Sequence, residues 1–259
     1  MIARSITLLA ALVLASGAVD PNDPFKAASI VERAGAPIPL DRPFVTAAGK
    51  AVTLRQLAAG KPLLITPVQH ECPNICGVTL AGIAAAIDGQ ARYRPGRDFA
   101  IVALGIDPRE GPAQARDGLN RLAAQRPDAT WRPVALTGGE RSIEAVTSAL
   151  GYRYAWSDQL GQYAHLSATA VLTRDGRLSS WLYGLAPTPA QLDAALAQAS
   201  AGRSGGVMQQ LLLLCFHYDP QTGRYSLAIV KALRLAGIAT VLLIGAAIAL
   251  LSRRRREAA

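Results

Sequence analysis

The stretch Leu63 to Gln90, LLITPVQHECPNICGVTLAGIAAAIDGQ, decides the fold. It opens on Leu63-Leu64-Ile65-Thr66, an apolar run introduced by Lys61-Pro62 and suited to a buried strand. It closes on Gly77 to Gln90, where Val78, Leu80, Ile83 and Ile87 recur at helical spacing and predict a helix with one face on a sheet. Between the two, Cys72 and Cys76 form a C-x3-C pair at the turn from strand to helix. A helix N-terminus, with its dipole and unpaired N–H groups, lowers the pKa of a thiol placed there. The thiolate is the form that binds a metal or attacks a disulfide. Residues four apart on a helical turn lie about 6 Å apart, near enough to close a disulfide or to hold one ion between two sulfurs. The spacing therefore leaves metal binding, dithiol exchange and a structural disulfide open.

Outward from this stretch, helices and strands alternate. Phe44 to Leu54 places Ala47-Ala48-Gly49-Lys50 between β-prone residues and reads as a hairpin. Phe99 to Ile106 is nearly continuous apolar sequence, as a central strand covered on both faces requires. Helices over 112–125 and 140–150 flank a strand near Val134 to Leu136. Thr169 to Thr173, the turn Arg174-Asp175-Gly176-Arg177 and Leu178 to Gly184 form a second hairpin, followed by a helix from Pro189. A strand-helix-strand half, a crossing helix and a strand-strand-helix half give the element order of an α/β thioredoxin-like domain with an added N-terminal hairpin. Asp20 to Pro43, rich in Pro and Ala, reads as an irregular lead-in.

The two ends differ from the middle. Met1 to Ala18 has one charge at Arg4, an apolar run from Ile6 to Leu14, and then Ala15-Ser16-Gly17-Ala18, the pattern of a cleaved secretory signal over residues 1–18. From Leu235 to Leu251 every residue is uncharged, and 227–251 reads as a transmembrane helix. Lys231 and Arg234 would snorkel to the interface. Arg253 to Arg256 fall in the tail 252–259, which by the positive-inside rule is cytoplasmic and leaves 19–226 as an extracytoplasmic domain.

These ends carry much of the basic charge. Of the 259 residues, 27 are Lys or Arg against 18 Asp or Glu; without the terminal charges the balance is 22 against 17. That remainder is scattered and lacks interleaved aromatics, so nucleic acid is not an expected partner. Three cysteines in an exported chain cannot staple a small disulfide scaffold, and one thiol is left over from any single bridge.

Cys72-Pro73-Asn74-Ile75-Cys76 resembles the C-P-x-x-C-type motif of the Sco/SenC family, and the extra residue separates it from the C-x-x-C of ordinary thioredoxins. His165, in Tyr163-Ala164-His165-Leu166-Ser167, stands where that family has a distant histidine before the last hairpin, and Asp107-Pro108-Arg109-Glu110 resembles its Asp-Pro segment. Gly161 to Gly184 and Leu211 to Pro220 are similar to the bacterial branch with a C-terminal membrane anchor. Two positions depart: Gly77 where many members have proline, and Glu71 before the first cysteine, whose carboxylate would disfavour the thiolate of Cys72.

The resemblance implies a copper chaperone on the bacterial inner membrane, main domain in the periplasm, that helps assemble the copper centre of cytochrome c oxidase. It implies Cys72, Cys76 and His165 as ligands of Cu(I) or Cu(II), and as partners the membrane and the copper-accepting subunit of a respiratory oxidase. Two thiolates and an imidazole suit copper over hard cations, three ligands suffice for Cu(I), and structural zinc would want a fourth. The competing reading is a membrane-tethered thiol-disulfide oxidoreductase acting on the oxidase subunit's cysteines, for which His165 is dispensable. His70 is expected to be solvent-exposed, Asp107 to be a turn residue, and Cys215 and His217 to be a free thiol and an interfacial imidazole more readily than an auxiliary site.

Overall fold

The computed structural model describes residues 25–71, 76–129 and 131–205, with short pieces at 218–219, 224–225, 235–240 and 245. The chain divides into two compact units, one comprising 24–211 with 220–222 and the other the remaining residues. Within the second, Tyr218–Asp219 pairs antiparallel with Arg224–Tyr225, and residues 235–240 are helical. The expected leader, Cys72, Cys215, His217 and the cytoplasmic tail lie outside the described residues, as does most of the expected span. Among the described residues no helix is long and apolar enough to cross a membrane.

The first unit is built on a seven-stranded sheet. Its strands are β2 (Pro43–Thr46), β3 (Ala51–Thr53), β4 (Leu63–Val68), β5 (Ala100–Gly105), β6 (Val134–Thr137), β10 (Ala168–Leu172) and β11 (Leu178–Tyr183). They run in the order β11-β10-β4-β5-β6-β2-β3. The central β4, β5 and β6 are parallel, and antiparallel hairpins complete both edges.

All six residues of β4 are buried, and successive side chains enter different cores because a strand alternates faces. Leu63 and Ile65 join a core with Val102, Leu104 and Leu136, which is covered by α4 (Glu140–Leu150) through Ile143, Val146 and Leu150. Leu64 and Ile101 face the other way, against Ile83 and Ile87 of α2 (Cys76–Asp88) and Leu192 and Leu196 of α5 (Pro189–Ser200). Val68 and Ala103 lie on a third cluster with Ala115 and Leu122 of α3 (Pro112–Gln125). Burial on both faces is why these strands are nearly continuous apolar runs.

Within the first unit the expected strands and helices are present, and the helix starts follow local chemistry. In α1 (Leu54–Ala58), Thr53 Oγ1 accepts from Gln56 N while Thr53 N donates to Gln56 Oε1, and Thr188 with Gln191 repeats this capping box at α5. Pro112 opens α3 at a position where a missing N–H costs nothing.

Short strands that the sequence pattern did not mark complete the unit. The lead-in is ordered where it is described: β1 (Ser29–Ile30) pairs antiparallel with β7 (Tyr152–Arg153) in the register Ile30↔Tyr152. A hairpin of β8 (Ala155–Ser157) and β9 (Gln162–Ala164) precedes β10. Gly151 makes the turn from α4 into β7. It ends the helix at φ 74°, in the left-handed region, and a Cβ there would lie 2.0 Å from the Val31 carbonyl oxygen.

Candidate functional site

Strand β4 ends at Val68, and the chain runs through Gln69, His70 and Glu71 toward the cysteine segment, after which α2 begins at Cys76. This is the carboxyl end of the parallel strands, where open α/β sheets place their sites. Strand β10 lies antiparallel beside β4 in the register Ala170↔Ile65, and Thr66 Oγ1 and Thr169 Oγ1 are 2.9 Å apart. The connection that precedes β10, residues 165–167, therefore falls at the same end of the sheet as the cysteine segment.

Two hydrogen bonds bracket that approach. On one side of the cysteines, Tyr163 N donates to Gln69 Oε1 at 3.1 Å. On the other, Thr79 Oγ1 in the first turn of α2 donates to Ser167 Oγ at 3.2 Å. His165 is midway between the two residues that make these bonds. It is half-buried, and its Nδ1 is 2.9 Å from Tyr152 Oη.

The stem of the cysteine segment is clamped from other directions as well. Glu71 N donates to Glu110 Oε1 at 2.7 Å, and Arg121 of α3 donates to the His70 carbonyl oxygen. His70 itself is a correction to the sequence expectation, for it is only 4% exposed. Its Nε2–H donates to the Leu136 carbonyl at 3.0 Å, because a carbonyl oxygen can only accept. The absence of side chains at Gly105 and Gly118 makes room for the ring: a Cβ at Gly105 would lie 3.0 Å from it, and one at Gly118 3.3 Å from Nδ1. Burial pushes the His70 pKa down, with the Arg121 charge adding to the effect, against an opposing push from the Leu136 bond.

Beside the stem lies a cleft of about 500 Å³ lined by Gln69, Glu71, Asp107, Arg109, Glu110 and Trp156. Asp107 acts as the turn residue expected, its carboxylate accepting from Arg109 N at 2.9 Å and from the guanidinium. Burial raises its pKa, but the Arg109 bonds outweigh that and hold it below the usual carboxylate value. The Arg109 guanidinium lies 4.3 Å over the Trp156 ring. Glu110 is 7% exposed and its Oε2 is buried with no hydrogen-bond partner among the described residues. Burial pushes its pKa up to about 7, only partly opposed by the N–H groups of His70 and Glu71, while the charges of Asp107 and Glu71 raise it further.

Among the described residues no cluster of three His, Cys, Asp or Glu can hold a metal ion. Cys72 falls outside them, and of Cys76 they give the backbone alone. Sequence reasoning missed Gln69, Thr79, Glu110, Tyr152 and Ser167. None belongs to a spaced motif, and Glu110 alone carried a signal, as the residue closing the Asp107-Pro108-Arg109 turn.

The architecture defines a thioredoxin-like domain in which residues on either side of the cysteine segment, Gln69 and Thr79, are bonded to the stretch 163–167 that carries His165. The sequence profile of the SCO1/SenC family matches residues 35–200, and the chain belongs to that family. No curated protein sequence matches it.

Solved structures agree on the fold. A protein of Aquifex aeolicus VF5 assigned to electron transfer is 19% identical, with a TM-score of 0.57 over 65% of this chain and 95% of that one. Arabidopsis thaliana ScoI, determined with copper bound, is 21% identical, with a TM-score of 0.50 over 63% and 96%. BsSco, a member of the Sco family of cytochrome c oxidase assembly proteins in which a disulfide switch was identified, is 21% identical, with a TM-score of 0.50 over 67% and 97%.

Proposed function

We propose that this protein carries copper on Cys72, Cys76 and His165 and delivers it to the copper-accepting subunit of a respiratory oxidase. The observation that supports the reading best is the pair of hydrogen bonds, Gln69 with Tyr163 and Thr79 with Ser167, that tie both flanks of the cysteine segment to the residues on either side of His165. A dithiol that only exchanged electrons would not need an imidazole held at that place. The donor set suits copper as cargo: soft thiolates with one imidazole select it over hard cations, and a three-ligand shell leaves room for an acceptor's ligands to enter. Release is then ligand exchange, in which the acceptor's cysteines and histidines displace Cys72, Cys76 and His165 in turn.

The same proposal extends to placement. Residues 1–18 direct export, 227–251 anchor the chain in the bacterial inner membrane as the family branch with a C-terminal anchor, and 252–259 remain in the cytoplasm. The domain 19–226 then works on the periplasmic side, where anchoring limits it to acceptors at the same membrane.

The test is copper stoichiometry and affinity of the reduced protein, measured by competition, for the wild type and for Cys72→Ala, Cys76→Ala and His165→Ala. One copper per chain, strongly weakened in each variant, supports the carrier. Binding indifferent to His165, with the dithiol still reducing a disulfide substrate, overturns it in favour of a thiol-disulfide oxidoreductase.

A further inference from the structure

We propose that Tyr152 is a positioning residue for His165, its hydroxyl holding the proton of the neutral imidazole on Nδ1 so that Nε2 carries the lone pair offered to copper. The proposal rests on the reading of His165 as a ligand. The geometry requires this proton placement. Tyr152 Oη has one proton, and it donates to the Leu166 carbonyl oxygen at 2.6 Å. With that proton committed, the 2.9 Å contact between Oη and His165 Nδ1 is a bond in which Nδ1–H donates. The Leu166 carbonyl oxygen is also 3.3 Å from Nδ1, and a bare Nδ1 would set two lone pairs against each other there. Both neighbours therefore place the ring proton on Nδ1. A neutral imidazole has a single N–H, so Nε2 is the unprotonated nitrogen. The hydrogen bond made by one ring nitrogen sets which nitrogen is available to a metal, and such support orients the ring as well.

Tyr152 is suited to this role by its rigidity. It is 2% exposed, and its ring stacks on Trp181 with centroids 5.8 Å apart and planes 21° apart. Its backbone is fixed from both sides, by the left-handed turn at Gly151 and by pairing with Ile30 of β1. The phenol thus reaches His165 from elements that belong neither to the cysteine segment nor to the connection carrying the histidine.

The experiment uses full-length, reduced, copper-free protein labelled with 15N in its histidines. The sequence has three, so His165→Ala identifies the signal of interest, and His70 serves as an internal reference of opposite tautomer because its Nε2–H donates to Leu136. Long-range proton–nitrogen spectra are expected to show His165 with a protonated Nδ1 and a bare Nε2 in the neutral form. A protonated Nε2 in the wild type overturns the proposal without need of any variant.

Tyr152→Phe keeps the ring and its stacking while removing the hydroxyl, and is expected to give a mixture of tautomers and a copper affinity roughly 10- to 100-fold weaker. If the variant leaves tautomer and affinity unchanged while His165→Ala still loses copper, the positioning role fails and the ligand reading survives. If His165→Ala does not weaken copper binding but Tyr152→Phe still shifts the tautomer, the ligand reading fails instead. In the double variant, the effect of Tyr152→Phe on affinity is expected to vanish, since it acts through the imidazole.

Discussion

The surroundings of His70 and His165 make an instructive contrast. His70 is two residues from Cys72 in sequence, yet its ring is turned into the interior, wedged between Gly105 and Gly118 with Nε2–H given to Leu136. His165 is distant in sequence, yet it sits half-buried between Tyr163 and Ser167, which are bonded to the two flanks of the cysteine segment. Proximity along the chain and place in the fold point in opposite directions here. A histidine whose ring nitrogen is already committed to a core carbonyl supports the fold, and one whose connection is tied to the thiol segment is the candidate for chemistry.

The largest expected effect separates the two directly. On the proposed carrier reading, His165→Ala is expected to weaken copper binding on the order of 10²-fold or more, because losing a ligand would exceed the roughly 10- to 100-fold cost of losing its hydrogen-bonded support. His70→Ala is expected instead to lower stability by about 2–4 kcal/mol, from a cavity and an unpaired Leu136 carbonyl, with copper affinity of the folded protein held within about tenfold. Urea unfolding beside copper competition checks both. If His70→Ala loses copper as His165→Ala does, the contrast is broken.

Gly105→Ala sharpens it from the other side. The added Cβ would lie 2.9 Å from the Leu136 oxygen and 3.0 Å from the His70 ring, so overpacking is expected to cost about 1–3 kcal/mol in urea unfolding. The His165 ring signals should not move. A shift there would mean that the two histidines share one structural unit.

Glu110 gives a pH test of the stem. Its folded pKa, about 7, stands above the ordinary value of 4.5, so the folded state holds this proton more tightly than the unfolded chain does. The contribution to stability is therefore full below about pH 4.5 and is lost as pH rises through about 7. Glu110→Gln, which cannot ionise, is expected to flatten that part of the stability profile measured by urea midpoints between pH 4.5 and 8 while raising stability at the upper end. An unchanged slope would show that another group titrates there.

The smallest expected effect belongs to the cleft's rim. Arg109 is largely exposed where it meets Asp107 and Trp156, so Arg109→Ala should cost no more than about 1 kcal/mol in the same assay. A larger loss would extend the structural unit around His70 out to the cleft.

Much of this fold was legible in the sequence because its strands are short apolar runs and its helices carry amphipathic spacing or caps. Pro112 to Gln125 and Glu140 to Leu150 emerge with the boundaries the pattern implied. The α/β order and the hairpins followed from the same signals. The pairing of β1 with β7 was not legible, because two-residue strands are set by backbone contacts that leave no periodicity. His70 was misread for a related reason: nothing in a single sequence announces that glycines on β5 and α3 will vacate space for its ring. Tyr152 was invisible as well, since a hydroxyl reaching across the fold is a fact of register and not of spacing.

The pairing of Ile30 with Tyr152 has a practical corollary for handling the protein. The lead-in around residues 28–31 is a splint for the phenol that contacts His165, with Val31 N bonded to the Gly151 oxygen at 2.8 Å. A tag or fusion joined immediately before Ala28, or a protease nick just after it, would slacken the splint and, on the proposed carrier reading, register as a change in metal affinity although none of the proposed ligands had been touched. Protein prepared to test copper binding should therefore keep Phe25 to Val31 intact and carry any addition further out.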